Sequence, residues 1–177
     1  EYELMGNVNV QIGTFSSSYS TPYSEWISVS EAKSYLIGLT DGGGTNYDYA
    51  LDGLETMFDT SGKIEGGQNL SYFFSDGEPN SGDEIDANDQ ALWETFVKDN
   101  NIISNAVGLG VSAVADELDP IAYNGVEEEQ IDSIMVDDFN DLTDTLVATV
   151  PEPFIGNILT GSGNVVDDNF EIGADGR

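Results

Sequence analysis

Two short segments of this chain carry oxygen donors in a pattern that a hard cation can use. The first is Gly43-Gly44-Thr45-Asn46-Tyr47, followed by Ala50-Leu51; the second is Phe73-Phe74-Ser75-Asp76-Gly77-Glu78-Pro79. Mg²⁺ and Ca²⁺ take oxygen ligands. A threonine hydroxyl and an aspartate carboxylate on separate loops can hold such an ion and leave a coordination position open. Each segment also has a purely structural explanation. Thr45 is a possible helix cap, with Asp48 three residues on as an imperfect capping box. Asp76-Gly77 is an ordinary turn pair.

Composition removes most other chemistry. The chain has no His and no Cys. Imidazole bases, thiolates, disulfides and the usual zinc ligands are therefore absent, and a Ser–His–Asp triad or Cys nucleophile is impossible. Asp76 with Glu78 is a carboxylate pair of a kind that does acid–base work, but nothing in the sequence places it around a substrate. The expectation is a binding module, not an enzyme. There is no Walker phosphate loop and no Gly-x-Gly-x-x-Gly fingerprint. Asp167-x-Asn169-x-Glu171 lacks the sixth-position Gly of an EF-hand loop.

Acidic residues number 34 against 4 Lys plus Arg, a formal net charge of −30 over 177 residues. Such a field repels phosphate backbones and disfavours anionic lipid, so neither nucleic-acid binding nor membrane insertion is expected. It attracts divalent cations and basic partners. The acidic run Glu127, Glu128, Glu129, Asp132, Asp137, Asp138, Asp141 and Asp144 reads as a solvated face, with accessory Ca²⁺ sites as the other reading. A hydrophobic fraction of 39% supports a sizeable core.

The elements that must position Thr45 and Asp76 follow from periodicity. Val8, Val10 and Ile12 alternate with polar residues, predicting a strand over 8–15. Residues 26–29 predict a short edge strand. Ser30 is expected to cap a helix over 31–37 that buries Ala32, Tyr35 and Leu36. Thr45 is expected to open a helix that buries Ala50, Leu51, Leu54, Met57 and Phe58. Residues 70–74 and 102–109 are continuous apolar strands of the doubly buried kind. A helix over 86–99 should turn Leu92, Trp93, Phe96 and Val97 inward. A short helix over 116–123, a strand over 131–136 and a helix over 139–147 follow. Strands 70–74, 102–109 and 131–136 should be neighbours in a mostly parallel α/β sheet with helices on both faces. Ligands of such sheets bind beyond the carboxyl ends of the strands, where Asp76 falls. The domain spans residues 1–150; 151–177 is an acidic Gly/Asn/Asp linker or the start of another module.

In this order and setting, the two segments resemble the von Willebrand factor A family. Val10-Gln11-Ile12-Gly13-Thr14-Phe15-Ser16-Ser17 also resembles that family's second strand, and the resemblance covers about residues 7–150. It implies a three-layer α/β/α, Rossmann-like fold. It also implies a metal-ion-dependent adhesion site (MIDAS) in which Thr45 and Asp76 are metal ligands. The implied cofactor is Mg²⁺ or Ca²⁺. The implied partner is a protein, peptide or glycan, reached through a metal-bridged carboxylate or other oxygen. The family's Asp-x-Ser-x-Ser, at the end of a first central strand, is not found. Asp59-Thr60-Ser61-Gly62-Lys63 is the nearest imitation, but it follows a helix and reads as a loop. The expectation is a domain lacking its first strand and first helix, with that segment as a candidate partner. In the tail, Gly156-Asn157-Ile158-Leu159-Thr160-Gly161, Asn164-Val165-Val166-Asp167-Asp168 and Gly173-Ala174-Asp175-Gly176 resemble joining segments of large bacterial type I-secreted RTX adhesins and toxins. A generic linker is the other reading. The resemblance implies a secreted or cell-surface protein. A structural spacer with a vestigial metal site is the competing function.

Overall fold

The computed structural model describes residues 6–40 and 42–150. The first part of the chain lays down four two-residue strands, β1 (Asn9–Val10), β2 (Thr14–Phe15), β3 (Tyr19–Ser20) and β4 (Ile27–Ser28). Helices α1 (Val29–Leu36) and α2 (Tyr47–Phe58) follow. Next come β5 (Asn69–Ser75), α3 (Ala87–Asp99), β6 (Ile102–Leu109) and the single-turn α4 (Ala115–Leu118). The described chain ends with β7 (Tyr123–Asn124), β8 (Glu129–Gln130), β9 (Ile134–Val136) and α5 (Leu142–Ala148).

β5 and β6 lie parallel, in register from Asn69 opposite Ile102 to Ser75 opposite Gly108. β9 joins the far edge of β6, also parallel, with Leu109 opposite Val136. β6 is buried along most of its length, as a strand covered on both faces requires. Successive side chains of β5 alternate between the two faces. Phe73 meets Tyr47 of α2 at 5.0 Å between ring centroids. From the other face, the Tyr72 hydroxyl lies 2.5 Å from Thr149 Oγ1, at the C-terminus of α5. Helices thus flank the sheet on both sides. Trp93 and Val97 of α3 are fully buried. The Ile121 carbonyl accepts from both the Trp93 indole N–H (2.9 Å) and the Ser104 hydroxyl (2.8 Å), tying helix to strand.

Several expectations need correction. The strand over 8–15 is two fragments: β1 pairs antiparallel with β4, and β2 with β3. The break falls at Gln11, whose side chain accepts from Ile12 N (3.2 Å) and donates to Thr60 Oγ1 (3.0 Å). α1 is capped by Ser28, not Ser30, because Glu31 completes a reciprocal capping box with Ser28. Its Leu36 is exposed, as is Leu92 on α3. The helix over 116–123 is one turn of α4 followed by a 3₁₀ turn, Asp119–Ile121, that begins around Pro120. The strand over 131–136 is reduced to β9. The antiparallel hairpin β7–β8, unforeseen in the sequence, makes the sheet mixed, with β7 antiparallel to β6.

Among the described residues, β5 pairs along one edge only, the edge facing β6. Residues 8–15 reach it through side chains: Phe15 stacks on Phe73 at 4.8 Å between centroids. They form no backbone pairing with β5. Residues 151–177, where the tail's resemblance falls, lie outside the described residues.

Candidate metal centre

Thr45 is not the helix cap. The cap of α2 is Asn46, whose side-chain Oδ1 accepts from Tyr49 N at 2.7 Å, the interaction that favours Asn at this position. Asn46 is also buried, and its Nδ2 donates to Asp83 Oδ1 at 2.6 Å. One amide therefore both closes the helix and grips a distant loop. Thr45 sits one residue earlier and is partly buried. Its carbonyl accepts from Asn80 N at 2.8 Å.

Asp76 follows directly on the last residue of β5, and its side chain is exposed, like that of Glu78. The Ser75 hydroxyl donates to Gly77 O at 3.1 Å, bending the chain off the strand end. From α2 the buried Tyr47 hydroxyl donates to the same carbonyl at 2.7 Å. Desolvation raises the Tyr47 pKa. A hydrogen bond with Ser75 opposes that rise, and the nearby charges of Glu117, Asp76 and Glu78 add to it. The field of Asp76 thus reaches the first residue of the helix that Thr45 precedes.

Three loops converge at this rim. Asp83 accepts through Oδ1 from Asn46 and through Oδ2 from Asn80 Nδ2 at 3.0 Å. Its carbonyl accepts from Tyr47 N at 3.0 Å, and its amide donates to Asn80 O at 2.9 Å. From the third loop, Ser16 O accepts from Asn46 N (2.9 Å) and Ser17 Oγ accepts from Gly44 N (2.8 Å). Asn80, Asp83, Asn46, Ser16 and Ser17 were not singled out as site residues from sequence. Asn46, Ser16 and Ser17 lie within segments already quoted for the resemblance, while Asn80 and Asp83 carry only the turn-forming string Asn80-Ser81-Gly82-Asp83.

A hydroxyl and a carboxylate suit a hard cation in kind. In number they fall short: among the described residues, no group of three or more acidic side chains converges to hold an ion. The residues present would supply part of a ligand set. Hollows of about 350 and 230 Å³ lie elsewhere, lined by neither Thr45 nor Asp76.

The parallel β5–β6–β9 core, its flanking helices and its loops at the carboxyl end of β5 make this a von Willebrand factor A-like α/β fold. No family model matches the chain, and neither does any curated protein. Among solved structures it is similar to proximal thread matrix protein 1 from the mussel byssus, in a structure with a zinc-occupied MIDAS motif. The identity is 16% and the TM-score 0.59, covering 79% of this chain and 33% of that one. Two further structures of the same mussel protein, one of them a second crystal form, match with TM-scores of 0.58 and 0.57 at 16% and 15% identity. The chain spans about a third of the length of the chains it matches.

Proposed function

We propose that this chain carries a metal-dependent ligand-binding module of a secreted or cell-surface protein. The observation that carries this reading is the hydrogen-bonded abutment of the Thr45 and Asp76 loops at the carboxyl end of β5, through Asn80 N to Thr45 O and Tyr47 Oη to Gly77 O. Thr45 would contribute its hydroxyl and Asp76 its carboxylate to Mg²⁺ or Ca²⁺. When bound, the ion would offer an open position to a carboxylate or other oxygen of a protein, peptide or glycan. That arrangement suits a chain of charge −30, because a cation can join two acidic surfaces that otherwise repel. Binding rather than catalysis is favoured by the absence of His and Cys.

Extreme acidity, lack of Cys and the tail's resemblance to secreted bacterial adhesins support an extracellular setting. Among the described residues, no helix is long and apolar enough to cross a membrane.

The test is Mg²⁺ and Ca²⁺ titration of the intact protein, then of Thr45→Ala and Asp76→Ala. Each substitution should lower ion affinity at least tenfold and abolish ion-dependent partner capture, with the circular dichroism spectrum unchanged. The small number of converging acids favours the rival reading, a spacer with a vestigial site. Absence of saturable binding by the intact protein would establish that rival.

A further inference from the structure

The metal-ligand reading leaves Asp83 without a role, yet this residue ties the loops of the rim together through both its side chain and its backbone. Both carboxylate oxygens are engaged, by Asn46 Nδ2 at 2.6 Å and Asn80 Nδ2 at 3.0 Å. Its backbone joins Tyr47 N and Asn80 O. Asn46 directly follows Thr45, and Asn80 donates its own amide to Thr45 O at 2.8 Å. Asn80 and Asp83 stand on the loop that leaves β5 through Asp76. Two side-chain amides, one from each ligand-bearing loop, thus meet on one carboxylate. Hydrogen bonds to an ionised acceptor are shorter and stronger than neutral ones. Each oxygen of this carboxylate thus holds an amide from one of the two loops, so that the group braces the loops against each other.

We propose that Asp83 is the positioning residue of this rim: its carboxylate fixes the spacing between the Thr45 loop and the Asp76 loop, and so sets ion affinity without touching the ion. The inference rests on the metal-binding reading above. It assigns to Asp83 the orienting work that carboxylates behind metal ligands commonly do, where substitution costs 10–100-fold in affinity.

The experiment uses Mn²⁺ as probe, with the intact protein, and compares four variants by isothermal titration. Asp83→Asn keeps the shape but sets an amide against two amides, and should weaken Mn²⁺ binding about tenfold. Glu84→Gln removes the same charge one residue away while keeping an oxygen that can accept from Gly82 N, and should change affinity less than twofold. Asn80→Ala removes one arm of the clamp at constant charge and should weaken binding severalfold. The transposed double variant Asn46→Asp/Asp83→Asn re-forms the network. The amide placed at position 83 would donate to the carboxylate placed at position 46 and accept from Asn80, and that carboxylate can still cap α2. The double variant should recover affinity to within about twofold of the parent. That recovery separates positioning from general destabilisation. Amide exchange at Tyr47 and Asn80 should speed up in Asp83→Asn and slow again in the double variant. Unchanged affinity in Asp83→Asn, an equal loss in Glu84→Gln, or no recovery in the double variant would each overturn the role given to Asp83. If the parent itself binds no Mn²⁺, the metal reading fails, and the positioning role with it.

Discussion

Gly44 and Gly53 face the same steric question with different answers. A Cβ on Gly44 would lie 2.6 Å from Asn80 Nδ2 and 2.7 Å from Ser17 Oγ. Both obstacles are the ends of side chains and can swing aside only by giving up the Asn80–Asp83 and Gly44–Ser17 hydrogen bonds, so Gly44→Ala should cost about 1 kcal/mol of stability. The swing displaces Asn80, however, so ion affinity should fall more than stability does. A Cβ on Gly53 would strike the Tyr19 ring itself. That ring is held from the other side, where a Cβ on Gly13 would come within 2.6 Å of it. It is also anchored by its hydroxyl, 2.8 Å from Met57 Sδ. Burial raises the Tyr19 pKa to about 12. A ring held on both sides has nowhere to move, so Gly53→Ala should cost about 1–3 kcal/mol and leave ion affinity untouched. Urea denaturation together with ion titration separates the two cases. Equal stability losses would contradict the argument.

At the scale of elements, α2 and α3 press acidic faces together. Asp48, Asp52 and Glu55 on α2 and Asp89 on α3 line one groove, over Leu51 and Trp93. The Asp48 pKa is raised by desolvation first, then by the charges of Asp89, Asp52, Asp86 and Asp83; that of Glu55 is raised by desolvation and by Asp52. A carboxyl with a raised folded-state pKa binds protons more tightly folded than unfolded. Its contribution therefore disfavours the folded state at neutral pH and fades as pH falls through the folded pKa. Asp86 and Glu31 are shifted the opposite way by their capping hydrogen bonds, so their support is lost on acidification. Asp48→Asn and Glu55→Gln should each stabilise the protein at pH 7, by at most about 0.5 kcal/mol because both groups keep solvent contact. The gain should vanish near pH 3. A gain that persists there would show that the groove's repulsion is not its cause. The core faces of these helices were legible in sequence: Ala50, Leu51, Met57 and Phe58 on α2, and Trp93 and Val97 on α3, recur at helical spacing and are buried. β5 and β6 were legible because a continuous apolar run between turn residues admits few other structures. β1 to β4 were not, since a two-residue strand has no period. The hairpin β7–β8 was hidden by Glu127, Glu128 and Glu129; it is fixed by Gly125, whose amide donates to Ile102 O at 2.9 Å. Thr45 and Asn46 are both good caps in isolation. The choice between them is made by Asp83, 37 residues away, which no local pattern contains. For the same reason the types of Thr45 and Asp76 could be read as candidates, while the clamp that joins their loops could not.

For the molecule as a whole, a charge of −30 is a self-repulsion that every folded conformation must carry. Among the described residues, the ion pairs that offset it include Lys63–Asp59 at 3.0 Å and Lys98–Glu128 at 2.6 Å, both on the surface and worth little. Screening should therefore stabilise the fold. The Debye length falls from about 30 Å at 0.01 M salt to about 8 Å at 0.15 M, so NaCl over this range should raise the thermal midpoint smoothly. A specific ion site makes a different demand. At constant ionic strength, replacing part of the NaCl by MgCl₂ should give a further, saturable rise. At a hundredfold excess over Kd it is worth about 2.7 kcal/mol, or roughly 5–10 °C for a domain of this size. Asp76→Ala should keep the NaCl response and lose the Mg²⁺ increment, because it deletes one charge among 34 acidic residues but one of the few ligands of a site. Were both proteins to respond alike to Mg²⁺, the cation would be acting on the diffuse field alone, and the rim at Thr45 and Asp76 would have no claim to it.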